Sequence, residues 1–216
     1  MGGYADDATG PITMTSPLAT TEVEQYAFDL EKATALLDEA GLTPGEGGTR
    51  FSMTVDYIPG GIETGRNLVE YLRSQLKQIG VEVEVRTSPD FPTWAKRVSS
   101  YDFDVTQDLV FNWGDPVIGV NRTYVSSNIR PGVIWSNTQQ YSNPKVDELL
   151  EAAAIETDTA KRAELYKEFQ QIVVADAPIL YLSEMPYSLA YKDGMEGLPT
   201  GIWGPASPWL GMTLPE

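Results

Sequence analysis

Residues Val81-Glu82-Val83-Glu84-Val85 alternate apolar and acidic side chains without a break. Successive side chains leave a strand on opposite sides, so a period of two marks a strand with one buried face. Upstream, Phe51, Met53, Val55 and Tyr57 alternate against Ser52, Thr54 and Asp56, which predicts a second strand of the same kind. Between the two, the Pro59-Gly60-Gly61 turn is followed by Leu68, Leu72, Leu76 and Ile79 at helical spacing, until Gly80 supplies a stop. Downstream, a shorter helix is expected over Phe91 to Ser100 with Trp94 and Val98 facing inward. Phe103 and Val105 then open a third strand that runs through Thr106 to Phe111. A β-α-β-α-β order needs crossover connections, and these join parallel neighbours with a right-handed turn. The fold class is therefore α/β, a mostly parallel sheet with helices packed on its faces.

The flanking stretches carry weaker signals. Residues 1 to 25 are rich in Gly, Asp, Thr and Pro and read as a lead-in or linker. Asp29 is a candidate N-cap for a short helix with Ala33, Leu37 and Ala40 on one face and Gly41 as its stop. Residues 117 to 142 have no period and read as a long loop ordered by Tyr124, Trp135 and Tyr141. Asn143-Pro144 opens a helix through Val146, Leu149, Leu150 and Ala153, because proline suits the first helical position. Another helix starts near Thr159, with Leu165, Phe169, Ile172 and Val173 inward. Pro178 to Glu184 is expected to be a buried strand, and Leu189 to Tyr191 is a candidate for another. The segment 194–216 combines many Gly and Pro with Trp203, Trp209, Leu210 and Met212. Disordered tails are poor in aromatic residues, so this one is expected to pack against something.

Composition narrows the function. Fifteen Lys and Arg stand against 31 Asp and Glu, a formal net charge of -16, which argues against nucleic acid or an anionic membrane as a partner. The chain has no cysteine and no histidine, which removes thiol nucleophiles, the commonest general base and the usual transition-metal ligands. No cofactor, metal site or catalytic residue is assigned. Asp102, Asp104 and Asp108 share parity along a strand, but they lack the spacing of a calcium loop and read as acidic caps. Asp104 with Asp115 would pass as a glycosidase pair only because the chain is rich in acids. No apolar run is long enough to cross a bilayer, and the first residues lack a basic region followed by an apolar one, so no signal peptide is expected in this chain.

The stretch Gln107 to Pro116 holds the candidate recognition residues. Gly114, Asp115 and Pro116 force a turn, and Asn112 with Trp113 sits where a strand empties into it. In open α/β sheets, ligands bind beyond the carboxyl ends of the strands. The same residues also fit an ordinary strand-end turn with Trp113 in the core.

The order of these landmarks resembles a known family. FDLEKATALLDEAGL, a strand, GRNLVEYLRSQLKQIGVEVEV, a Trp-bearing helix, YDFDV and a Trp/Gly/Asp-Pro turn follow one another as in the family 5 extracellular solute-binding proteins of ABC importers. YSNPKVDELLEAA and KRAELYKEFQQIVVADAPILYL resemble the C-terminal part of that family, so the match runs from about Tyr26 to Leu182. The resemblance implies a lobe of the type II periplasmic-binding-protein fold. It also implies a periplasmic or extracellular protein that captures a small polar solute between two lobes and delivers it to ABC permease subunits. On this comparison the chain is expected to be a fragment: a C-terminal ligand-binding lobe over 26–193, and a tail over 194–216 that returns to a missing N-terminal lobe. The family's peptide binders carry an aspartate three residues before the Asp-Pro, where it pairs with the ligand's amino group; that position here is Asn112. An amide lacks the charge to neutralise an ammonium, so sugars and opines stand beside peptides as candidate solutes. Trp113 suits stacking on a sugar face. Arg66, at the start of a helix, matches family arginines that hold a ligand carboxylate, and it also fits a solvated surface arginine. The alternatives from other classes are a carboxylate-based hydrolase and a plain protein-interaction module.

Overall fold

The computed structural model describes residues 5–60, 63–185, 189–199, 203 and 206–215. Gly61 of the expected turn and parts of the 194–216 segment lie outside these residues. The elements in chain order are β1 (Asp6–Asp7), α1 (Leu30–Glu39), β2 (Phe51–Tyr57), α2 (Glu63–Lys77), β3 (Val81–Arg86), α3 (Phe91–Ser99), β4 (Val105–Gln107), α4 (Pro116–Gly119), α5 (Asn121–Tyr124), α6 (Pro144–Ile155), α7 (Thr159–Asp176) and β5 (Ser183–Glu184). They fall into two compact units. One, the sheet unit, comprises Gln25–Val110 and Arg130–Thr138; the other, the helical unit, comprises Met1–Glu24, Phe111–Ile129 and Gln139–Glu216. This division differs from the expected lead-in, single lobe and tail.

In the sheet unit the strand order is β3-β2-β4 and every pairing is parallel, as the β-α-β-α-β pattern requires. Phe51 pairs with Val81 and Val55 with Val105, which sets Val55, Val81 and Val83 into one core with Val69 of α2. Gly80 ends α2 at a positive φ of 81°, and a Cβ there would lie 2.6 Å from the Gly48 carbonyl oxygen, so the α2–β3 turn has room only for glycine. Asp29 and Asp90 cap α1 and α3 by accepting the Lys32 and Thr93 amides. Trp94 and Val98 are fully buried, and the Trp94 indole N–H donates to Thr106 Oγ1 at 3.2 Å. Trp135 does order its loop, but through the sheet unit: its ring sits 5.7 Å from that of Phe91.

Two expectations for this unit fail. The third strand stops at Gln107 instead of reaching Phe111, because its last partner is Tyr57 and β2 gives way there to Ile58 and Pro59. A proline has no N–H to offer a ladder. Asp56, placed by alternation on the solvated face, is completely buried. Its carboxylate accepts from Arg86 Nε at 2.9 Å and from Arg97 Nη1 at 2.5 Å. Two guanidinium partners supply the hydrogen bonds that a buried carboxylate needs.

The helical unit is built on α6 and α7. Asn143 caps α6 and Asp158 caps α7, and Val146, Leu149, Leu150 and Ala153 meet Tyr166, Phe169 and Val173 in one core. The expected 117–142 loop contains α4 and α5, two single-turn helices that bring Val120 and Tyr124 into this core. The lead-in is not a linker. Ile12 is only 2% exposed inside the same core, Gly10 and Pro11 are buried beside it, and Gln170 Nε2 donates to the Leu18 carbonyl at 3.0 Å. Burying one isoleucine contributes about 1.5–3 kcal/mol toward the cost of ordering the segment. β1 pairs antiparallel with β5. The expected strand from Pro178 shrinks to Ser183–Glu184, and Leu189 to Tyr191 adopt no strand. Ile179 and Tyr181 pack on the core while Leu180 and Leu182 face outward, so the segment is half-buried, not a buried strand.

Candidate functional site

The helical unit places Asn112 and Trp113 in a turn held from three directions. Asp115 caps α4 by accepting the Val117 amide at 3.0 Å, and Pro116 occupies the first turn, where its missing N–H costs nothing. Asp115 also meets Arg162 of α7 in a two-pronged ion pair, at 2.9 Å and 3.0 Å, while Arg162 Nε donates to the Ala153 carbonyl at the end of α6. The paired guanidinium holds the Asp115 carboxyl below the usual carboxylate range, and the same contact raises Arg162. The third hold is close packing. A Cβ on Gly119 would lie 2.9 Å from the Phe111 carbonyl oxygen, 3.0 Å from the Trp113 nitrogen and 3.1 Å from the Asn112 Cα.

Asn112 is half-buried, and its Nδ2 donates to the Pro11 carbonyl at 2.8 Å. The amide nitrogen is thus committed to the lead-in segment, and Oδ1 has no hydrogen-bond partner among the described residues. Trp113 is half-buried too, not enclosed in the core. Its ring stacks on Phe111 at 6.0 Å between centroids and meets Trp203 at 5.2 Å with a 56° tilt. Trp203 itself is 39% exposed and Trp209 42%, so neither tail indole is a core residue.

Arg66 lies on α2 of the sheet unit and is exposed. Asn112 and Trp113 are therefore neighbours in one unit, while Arg66 belongs to the other. In the sheet unit, Asp104 accepts from the Thr54 amide at 2.7 Å and its hydroxyl at 2.8 Å, and Asp102 pairs with Arg86. These acids are engaged as strand-end caps. Among the described residues, no group of three or more acids gathers to hold a metal ion. Pro11, Arg162 and Trp203, far from the turn in sequence, were not read as parts of this site; nothing local in the chain marks them.

Because Asp115 is depressed in the folded state, its stabilisation is present above the ordinary carboxylate range, near pH 4, and is lost as pH falls through the folded value below it. Arg162→Met is expected to cost about 1–1.5 kcal/mol at neutral pH, a charged hydrogen bond discounted for partial exposure. The difference from the wild type should shrink below about pH 4. Urea unfolding across pH 3 to 7 measures this, and a difference independent of pH would refute the ion pair's role.

No helix of the described residues is long and apolar enough to cross a membrane. The sequence profile of the bacterial extracellular solute-binding proteins, family 5 middle, matches residues 1–132. Protein XP55 of Streptomyces lividans is 30% identical over 210 residues, which cover 94% of this chain and 37% of that protein. Glutathione-binding protein GsiB of Pectobacterium atrosepticum is 30% identical over 185 residues, covering 84% of this chain and 34% of the relative. The solved structure of HbpA2 from Haemophilus parasuis superimposes with a TM-score of 0.74 at 27% identity, over 85% of this chain and 35% of that one. The chain thus spans little more than a third of the length of the curated relatives it matches. The mixed α/β fold with its parallel sheet matches periplasmic-binding-protein-like structures. With well over half its residues inside the profile, this chain belongs to the family 5 bacterial extracellular solute-binding proteins.

Proposed function

We propose that this chain forms part of the substrate-binding component of an ABC importer, which captures a small polar solute outside the cytoplasm and hands it to permease subunits. Capture is by hinge closure around the solute, with no chemistry done on it. The observation that carries this reading is the turn of the helical unit. It is anchored on both flanks, yet it leaves Asn112 and Trp113 only half-buried and Phe111 and Trp203 more than a third exposed. A rigid turn that presents few polar groups beside aromatic rings is the usual design of a small-molecule site. Within the helical unit, Asn112 is the candidate hydrogen-bonding residue for the solute and Trp113 the candidate aromatic surface; on the sheet unit, Arg66 is taken separately as a candidate partner for a carboxylate. A relative named for glutathione binding keeps peptides in the panel beside sugars and opines.

Because relatives are longer, part of the solute's contacts is expected beyond the matched region, and this chain alone should bind weakly. The test is a thermal-shift screen of peptides including glutathione, sugars and opines, taken to high concentration. A tenfold excess over Kd stabilises by about 1.4 kcal/mol, which is about 3–5 °C for a chain of this size. Saturable stabilisation by one solute class supports the reading. No shift with any solute, or turnover of a glycoside, sinks it.

A further inference from the structure

We propose, resting on the solute-binding reading above, that Pro11 is a positioning residue of the recognition turn. Its carbonyl requires an amide at position 112 and fixes which end of that amide meets it. All the groups involved belong to the helical unit. Pro11 is buried, and among the described residues its carbonyl oxygen accepts from Asn112 Nδ2 alone, at 2.8 Å. The oxygen is not free to follow a new partner. On one side of it Gly10 is buried, and a Cβ there would already touch Val174 of α7 at 3.6 Å. On the other side Ile12 is locked in the helical core. Beyond them, Gln170 donates to the Leu18 carbonyl, and the Met14 amide donates to both Glu184 carboxylate oxygens at 3.1 Å. The lead-in is therefore a fixed strap that presents one buried acceptor to the turn.

Hydrogen-bond chemistry decides what position 112 can hold. A carbonyl oxygen only accepts, so its partner must donate. Asparagine does, and the bond turns its nitrogen to the strap and so settles the orientation of the whole amide. A carboxylate in the same place would set two acceptors at hydrogen-bond distance with no proton between them, on a half-buried side chain. Residues 8–21 carry no charged side chain to relieve that contact. The charged groups of the elements around the turn are Asp115 and Arg162, paired with each other, and Arg122 of α5, whose Nε donates to the Gly119 carbonyl at 3.3 Å. Arg122 favours an ionised acid; the Pro11 oxygen opposes it in direct contact. The strap thus excludes an ionised acid from the turn and offers the solute an amide held one way round.

The test is thermal melting of the whole chain and its variants at about pH 7 and about pH 3.5. Asn112→Asp should melt about 5 °C below the wild type at neutral pH. Facing the Pro11 oxygen, the new carboxyl titrates above its ordinary range, so its penalty is present where it is ionised. The penalty is lost as pH falls through the raised value, because the protonated acid donates to Pro11. Asn112→Ala leaves the Pro11 oxygen unpaired at any pH, and its deficit should be the same at both. With the strap loosened by Ile12→Ala, or by Ile12→Val if the alanine variant does not fold, the neutral-pH penalty of Asn112→Asp should fall by about half. An Asn112→Asp deficit that is absent or equal at the two pH values overturns the Pro11 contact, and a penalty untouched by the Ile12 variants overturns the strap. The same Ile12 variant, carrying the native Asn112, then enters the thermal-shift screen of glutathione, sugars and opines. A loss of about tenfold in affinity for the solute that stabilises the wild type supports the positioning role, and unchanged affinity overturns it. If no solute shifts the wild type, the solute-binding reading falls and takes the positioning role with it, while the pH signature still decides whether Pro11 dictates the amide.

Discussion

Asp56→Ala is expected to destabilise the sheet unit by about 3 kcal/mol, the lower part of the range for breaking a buried ion pair. The carboxylate is fully buried and is shared by Arg86 and Arg97, so truncation takes the shared partner from two guanidinium groups. Their side chains keep 23% and 19% of their surface exposed, which allows partial rehydration and sets the estimate at the low end. Arg86 retains Asp102 as a second partner; Arg97 is the group left worse off. Asp56→Asn should recover part of the loss, because an amide oxygen still accepts from one arginine. Urea unfolding of the three proteins measures the ladder. A loss below about 1 kcal/mol in Asp56→Ala would mean that the arginines rehydrate freely and that the cluster carries little stability.

Gly119→Ala should cost about 3 kcal/mol and weaken solute binding as well, the upper end of what overpacking produces. Every atom the new Cβ would meet is backbone: the Phe111 carbonyl oxygen, the Trp113 nitrogen and the Asn112 Cα, all within 3.1 Å. Backbone cannot rotate away as the end of a long side chain can, so either α4 or the turn must shift. α4 is fixed by the Asp115 cap and the Arg162 pair, which leaves the Asn112-Trp113 segment to move. The substitution therefore couples stability to recognition. Calorimetric affinity for whichever solute the screen identifies, beside the melting temperature, tests this. A destabilised variant that binds with wild-type affinity would show that the turn is not the recognition element.

The expected β-α-β-α-β order and the observed sheet agree because period is a local property. Val81 to Val85, the leucines of α2 and the inward Trp94 and Val98 announce their structure within a few residues, and parallel pairing follows from the crossovers. The caps Asp29 and Asn143 are local in the same sense. Asn112 and Trp113 were legible as site candidates for that reason, through a turn motif and its resemblance to a family. Asp56 was misplaced because alternation reports which side of a strand a residue takes, not what comes to cover it.

What the sequence by itself determined is thus the element order, the parallel sheet and the family. Tertiary structure alone decided that the lead-in enters the helical core through Ile12, that Pro11 holds the Asn112 amide, that Arg162 clamps Asp115 and that Trp203 reaches Trp113. Each of these joins residues 47 to 101 positions apart, or farther. Such contacts depend on volume, charge and backbone reach in the assembled chain, and none of those leaves a period in the sequence.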